Sequence, residues 1–306
     1  MTWLIYALLS TLIYAMVALL DRRIMAKKMI NPTSYLLIGN FTGLIVIFLS
    51  LYWFVKDIDA GFVVIFAGII VGLLFGVFTY MYFLTLRDAS PVAAVAYMQI
   101  VPVVAIIGSV FIFNEKISEY GYTAILLLSV GLTFVSLLDR RMASHVASLM
   151  IPAVLLLSIG YILQKYLLIN NSVFLLLILN RIGSTVFGFF IFILTYKMNP
   201  EEMVKSLSGC KVGVIASVIG EIGSILGLAF LLFAYEIGPF AEVSSIAAIL
   251  PVMVLIGAMI LNKFSSHDFW VIPEIKSISS ILLTLVSVLL IALSIYMISG
   301  GAINCF

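Results

Sequence analysis

Residues 99–108, Gln99-Ile100-Val101-Pro102-Val103-Val104-Ala105-Ile106-Ile107-Gly108, return in outline 149 residues later as Ala248-Ile249-Leu250-Pro251-Val252-Met253-Val254-Leu255-Ile256-Gly257. The proline and the glycine fall at the same places, and both stretches are apolar almost throughout. Each opens after a turn of small residues and proline, Ala89-Ser90-Pro91-Val92-Ala93 in one case and Gly238-Pro239-Phe240-Ala241-Glu242 in the other. Each leaves through polar text, Asn114-Glu115-Lys116-Ile117-Ser118 and Asn262-Lys263-Phe264-Ser265. Asn40-Phe41-Thr42-Gly43 likewise matches Asn180-Arg181-Ile182-Gly183. Self-similarity of this kind reads as two homologous halves.

The text around these stretches fixes the solvent. Of 306 residues, 64% are hydrophobic and 10% charged, and the mean hydropathy is +1.28. A water-soluble domain carries about 25% charged residues, because its surface faces water. A soluble enzyme is therefore excluded. The net charge of +2 is too balanced for nucleic acid binding. Cys210 and Cys305 make neither a disulfide framework nor a metal spacing, and His145 and His267 lie in polar connections, so no metal site and no cofactor are expected. The opening Met1-Thr2-Trp3 has no basic leader, and the first apolar run reads as a span that stays in the membrane.

A helix needs about 20 mostly apolar residues to cross the hydrocarbon core. Ten stretches qualify: Trp3 to Leu20, Thr33 to Val55, Phe62 to Leu86, Pro91 to Phe113, Tyr120 to Leu138, Ser148 to Leu168, Val173 to Tyr196, Val212 to Tyr235, Phe240 to Leu261 and Ser277 to Ser299. Barrel strands would alternate over about ten residues, and these runs are longer and unbroken. The fold class expected is an all-α integral membrane protein of the cell membrane, with ten transmembrane helices. Five helices per half force the halves into opposite orientations. This is the inverted-repeat plan of many secondary transporters, which place their site between the halves near the midplane. The expected halves are 1–143 and 144–306, divided near His145 in the polar segment Asp139-Arg140-Arg141-Met142-Ala143-Ser144-His145.

The motifs resemble the drug/metabolite transporter superfamily, and within it the ten-helix EamA-type permeases. The resemblance rests on an aromatic third span, Tyr82-Phe83-Leu84-Thr85-Leu86, running into the Ala89-Ser90-Pro91 turn. A fourth span with a central proline follows, then the exit Asn114-Glu115-Lys116-Ile117-Ser118 and a glycine, Gly131, in span five. The second half departs from the pattern, since Leu261-Asn262-Lys263-Phe264-Ser265 has no exit glutamate. The resemblance implies transport of small organic metabolites without ATP and without a bound cofactor.

Ionisable groups inside a bilayer are costly and mark sites by default. Glu221 lies about nine residues into span eight, with Ser217 and Ser224 on its face and Gly220 and Gly227 beside it. The corresponding face of span three carries Gly68, Gly72 and Gly76, which permit close helix approach. Arg181 lies about nine residues into span seven, entering from the other side, so its Cα is expected about 10 Å from that of Glu221 in depth. At that stagger a direct ion pair is strained, and separate partners or a cavity bracketed by the two are expected instead. Glu242, in the first turn of span nine, suits the helix dipole. Asn180, Asn40, Tyr97 and Gln99 either hydrogen-bond a substrate or join helices. Pro102 and Pro251 interrupt backbone hydrogen bonds in mid-span, as kinks or as gates.

The substrate-binding set expected is Glu221, Ser224, Arg181, Asn180, Gln99, Tyr97 and Asn40, with no catalytic residues and no enzyme activity. The function expected is secondary-active export of small metabolites such as amino acids or amines, with proton coupling. The alternative is a non-transporting membrane receptor or scaffold. The partners expected are a small-molecule substrate and the lipid bilayer, with no nucleic acid, in a monomer or homodimer. Connections after odd-numbered spans hold 12 basic residues against 3 after even-numbered ones. Positive residues stay cytoplasmic, so the charge count puts both termini outside, whereas the resemblance implies termini in the cytoplasm. Charge bias predicts that a reporter fused after Phe306 is silent in the cytoplasm; a cytoplasm-active fusion reverses the orientation.

Overall fold

The computed structural model describes residues 2–54, 61–89, 91–115, 144–208, 211–247 and 249–264, together with isolated positions between 122 and 130 and residue 290. Eleven helices are described: α1 Thr2–Ala26, α2 Pro32–Phe54, α3 Phe62–Asp88, α4 Pro91–Ala96, α5 Ile100–Phe111, α6 Ser144–Leu168, α7 Val173–Met198, α8 Pro200–Ser208, α9 Lys211–Ile237, α10 Phe240–Ala247 and α11 Leu250–Phe264. No strand occurs among the described residues. Six segments there are long and apolar enough to cross a membrane: α1, α3, α6, α7, α9 and the run through α10 and α11. The expected spans Tyr120 to Leu138 and Ser277 to Ser299 lie, but for those isolated positions, outside the described residues, as do Gly131, Cys210, His267 and Cys305.

The spans expected to contain mid-helix prolines are each divided in two. Between α4 and α5 the chain tightens into a 3-10 turn over Tyr97–Gln99, and Pro102 is the third residue of α5. Between α10 and α11 the ladder is interrupted before Leu250, and Pro251 is the second residue of α11. Proline suits the first turn of a helix, where its missing N–H would have no partner anyway. The two prolines therefore start a second helix rather than bend one.

Side chains sort by surroundings. Phe41, Ile45 and Phe48 of α2 and Ile215, Ile219 and Leu226 of α9 are exposed, as a lipid-facing surface would be. The inner faces carry small and polar residues. α1 runs along α9, with Ser10 Oγ donating to the Gly227 carbonyl at 2.8 Å. α3 lies against α6 and α7, α2 against α7 and α9, α5 against α10, and α4 against α11. α8 was not expected; it packs on the start of α2, where the Asn31 N–H donates to Ser206 Oγ at 2.9 Å.

The α3–α7 crossing depends on glycine. Gly68 faces Leu179, Gly72 faces Asn180 and Gly183, and Gly76 faces Phe187. A methyl on Gly72 would stand 2.8 Å from the Gly183 Cα, and one on Gly183 would stand 2.8 Å from the Gly72 Cα. The two backbones touch, with no room for a side chain on either. Gly72→Ala should therefore lower stability by about 1–3 kcal/mol, the usual cost of overpacking. Thermal unfolding of the purified protein in detergent checks this. Gly61→Ala, at a position with open space around it, should leave the transition unmoved.

Candidate functional site

A cavity of about 160 Å³ lies between α1, α2, α3, α6, α7, α9 and α10. Its wall is largely apolar and includes eight aromatic residues. Tyr35 meets Phe83 edge-on with centroids 4.5 Å apart, and Phe75 meets Tyr161 in the same way at 5.1 Å. Into this apolar wall project two acids and one base: Asp21 from α1, Glu221 from α9 and Arg181 from α7.

Arg181 and Glu221 form a direct ion pair, the Arg181 Nη1 donating to Glu221 Oε1. This corrects the expectation of separate partners. The depth estimate considered only Cα positions, and two long side chains close the gap between them. Glycines of α2 make room for the carboxylate. A Cβ on Gly39 would lie 3.0 Å from Glu221 Oε2, and one on Gly43 would lie 3.0 Å from Glu221 Oε1. The pair is 10% and 14% exposed at its two side chains, so water screens it little. Arg181 Nε and the neighbouring Asn180 Nδ2 are buried and have no hydrogen-bond partner among the described residues.

Asp21 is the second acid, 4% exposed. The hydroxyl of Tyr35 donates to its Oδ1. Gly220 of α9 leaves the space, since a Cβ there would stand 2.8 Å from the Tyr35 oxygen and 3.5 Å from Asp21 Oδ1. Tyr82, also on the cavity wall and 7% exposed, has a hydroxyl with no partner among the described residues. Sequence reading placed Asp21 and Arg22 in a connection after Leu20, because the apolar run ends there. The helix continues six residues further, to Ala26. The signal available was local: Asp21 lies within one turn of Val17 and Ala18, with only one other acid or base adjacent before Arg23.

The remaining buried charges hold helix ends. Arg22 Nη1 donates to the Leu86 carbonyl at the end of α3. Lys165 Nζ donates to the carbonyls of Tyr235 and Gly238 at the end of α9, the Gly238 bond measuring 3.1 Å. Cations suit the C-terminal end of a helix dipole. At the start of α10, Glu115 accepts from the Phe240 N–H at 3.0 and 2.9 Å, and Ser109 Oγ accepts from the Ala241 N–H at 2.9 Å. Ser109 in turn donates to Glu115 Oε2 at 2.6 Å. Asn114, with φ of 51°, turns the chain so that Glu115 reaches back. Asparagine tolerates this left-handed backbone better than most residues. Glu242 sits in the first turn of α10, as expected, but Glu115 supplies the cap.

Of the seven residues expected to form the site, Glu221, Ser224, Arg181, Asn180 and Asn40 line the cavity. Asn40 also joins helices, donating to the Ser184 carbonyl at 3.0 Å. Tyr97 lies in the 3-10 turn, half-buried and away from the lining. The side chain of Gln99 is outside the described residues.

Residues 1–137 match the model of the EamA-like transporter family. That stretch is similar to the EamA-like transporters. The match agrees with the drug/metabolite transporter resemblance read from the spans, and members of this family are transporters rather than enzymes. No curated protein matches the chain. Solved structures do match, 26 chains in all. One crystal structure of a protein aligns with a TM-score of 0.65 at 14% identity, covering 93% of this chain and 96% of that one. Identity that low speaks to the fold alone. With six membrane-length segments among the described residues, the chain is a multi-pass membrane protein whose first half is similar to EamA-like transporters.

The cap across α5 and α10 yields a stability test. Glu115→Ala removes the acceptor of the Phe240 N–H and should cost about 1 kcal/mol, the typical value of a lost N-terminal cap. Thermal unfolding in detergent reads the loss, and Glu115→Asp should recover only part of it.

Proposed function

We propose that the protein is a secondary transporter of small amine-bearing metabolites, amino acids or simple amines, built as two inverted five-helix repeats around the cavity. The observation that carries this reading is the Arg181–Glu221 ion pair inside that cavity. A charge pair within a membrane bundle is expensive to keep and is rarely needed for packing alone. Arginine stays protonated and presents a planar fork suited to carboxylates. Glutamate suits an ammonium. A substrate bearing both groups replaces each partner of the pair with its own opposite charge, so opening the pair leaves neither residue stranded. Export and proton coupling complete the proposal.

The repeat reading draws support from matched contacts. Under the repeat, α1, α2 and α3 correspond to α6, α7 and α9, and α4–α5 corresponds to α10–α11. Three packings of one half on the other then have counterparts: α1 on α9 with α6 on α3, α2 on α9 with α7 on α3, and α5 on α10 with α11 on α4. The end caps pair in the same way. Arg22 caps Leu86, Lys165 caps Tyr235, and positions 86 and 235 are related by the same 149-residue shift as the two prolines. Gly72 and Glu221 are corresponding positions, so the second half carries its carboxylate where the first has bare backbone.

Reconstitution into proteoliposomes with a panel of radiolabelled amino acids and primary amines tests the function. Glu221→Gln should reduce uptake at least about tenfold, given the 2–5 kcal/mol that losing one member of a buried charge pair costs. Arg181→Lys keeps the charge and loses the fork. It should weaken transport of amino acids and spare that of amines lacking a carboxylate. Normal transport by Glu221→Gln across the panel removes the ion pair from the site.

A further inference from the structure

Glu221, the intramembrane acid that the sequence singles out, is already paired with Arg181 in the structure. Asp21 is different. It lies in the same cavity, is 4% exposed, and meets no cation among the described residues. Around it stand Tyr35 from α2, whose hydroxyl donates to it, Tyr82 from α3, and Glu221 from α9 beyond Gly220. Arg22, next on α1, turns to the Leu86 carbonyl. Arg181 of α7 is directed to Glu221. α4, Pro91–Ala96, has no titratable residue, and Glu242 of α10 lies by Glu115 at the start of that helix. Two carboxyls and one guanidinium thus share a cavity of low dielectric, leaving one negative charge unmatched when both acids are ionised. The hydroxyl of Tyr82, buried on the cavity wall without a partner among the described residues, offers a further polar group beside Asp21.

We infer that Asp21 is the proton-exchanging residue of the cavity, held by Tyr35, while the Arg181–Glu221 pair receives the substrate. This rests on the transporter reading. Its bookkeeping is simple. A cationic amine entering at Glu221 adds one positive charge, and release of one proton from Asp21 restores the balance, so one ammonium exchanges for one proton. Two acids in one cavity are coupled by their mutual repulsion, which weakens when either is neutralised.

The test uses the full chain in proteoliposomes with radiolabelled phenethylamine and an imposed pH gradient. Asp21→Asn should lower gradient-driven accumulation about tenfold, within the range of an ordinary coupling between two sites. Exchange of labelled for unlabelled phenethylamine, which moves no net proton, should continue. Accumulation by Asp21→Asn at the wild-type level overturns the inference. Loss of exchange together with accumulation also overturns it, by putting Asp21 in the substrate site. Infrared difference spectra between acid and alkaline buffer give a readout that needs no transport. A protonated-carboxyl band of a dry site should vanish in Asp21→Asn, persist in Glu221→Gln and shift in Tyr35→Phe, which keeps the carboxyl and removes its donor. A band indifferent to Tyr35→Phe and lost in Glu221→Gln assigns the proton to Glu221 instead. Should the wild type move no amine, the transporter reading falls, and the infrared comparison still decides the role of Asp21.

Discussion

A charge placed in hydrocarbon has to be answered nearby, and the rest of this structure follows from where the answers come from. Water cannot supply them in mid-bilayer. Arg181 is answered by Glu221, Asp21 by the hydroxyl of Tyr35, and Arg22 and Lys165 by carbonyls at helix ends. Each answer ties together two different helices, so the polar groups set the relative placement of α1, α2, α3, α6, α7 and α9. The apolar side chains between them add contact area, but in lipid they add little preference for one partner over another.

Glycine makes those placements geometrically available. Gly39 and Gly43 open the space in which the Glu221 carboxylate sits, and Gly72 and Gly183 let two backbones touch. The α2–α9 interface therefore holds a carboxylate, while the α3–α7 interface closes on itself.

Most of the fold was legible because the membrane simplifies the reading. Long charge-free runs gave the starts of α3 at Phe62 and of α7 at Val173, and the glycines of α3 announced a close neighbour. The site was legible in part, and the failures have physical causes. A hydropathy run stops at its first charge, so Asp21 and Arg22 were assigned to a connection, although buried partners extend the helix past them. Counting rise per residue locates Cα atoms and omits the reach of arginine and glutamate, so the pairing of Arg181 with Glu221 was underrated. A proline in an apolar run does not say whether the helix bends or restarts, which is settled by the 3-10 turn at Tyr97–Gln99.

Glu115 carries one further consequence. It stands just beyond α5, yet its carboxylate holds the first amide of α10, 125 residues away in the chain. Any tilt of α5 against α10 has to turn about this joint or break the charge-assisted hydrogen bonding there. The contact acts as a fulcrum between the two helices, so a displacement of one against the other grows with distance from Glu115.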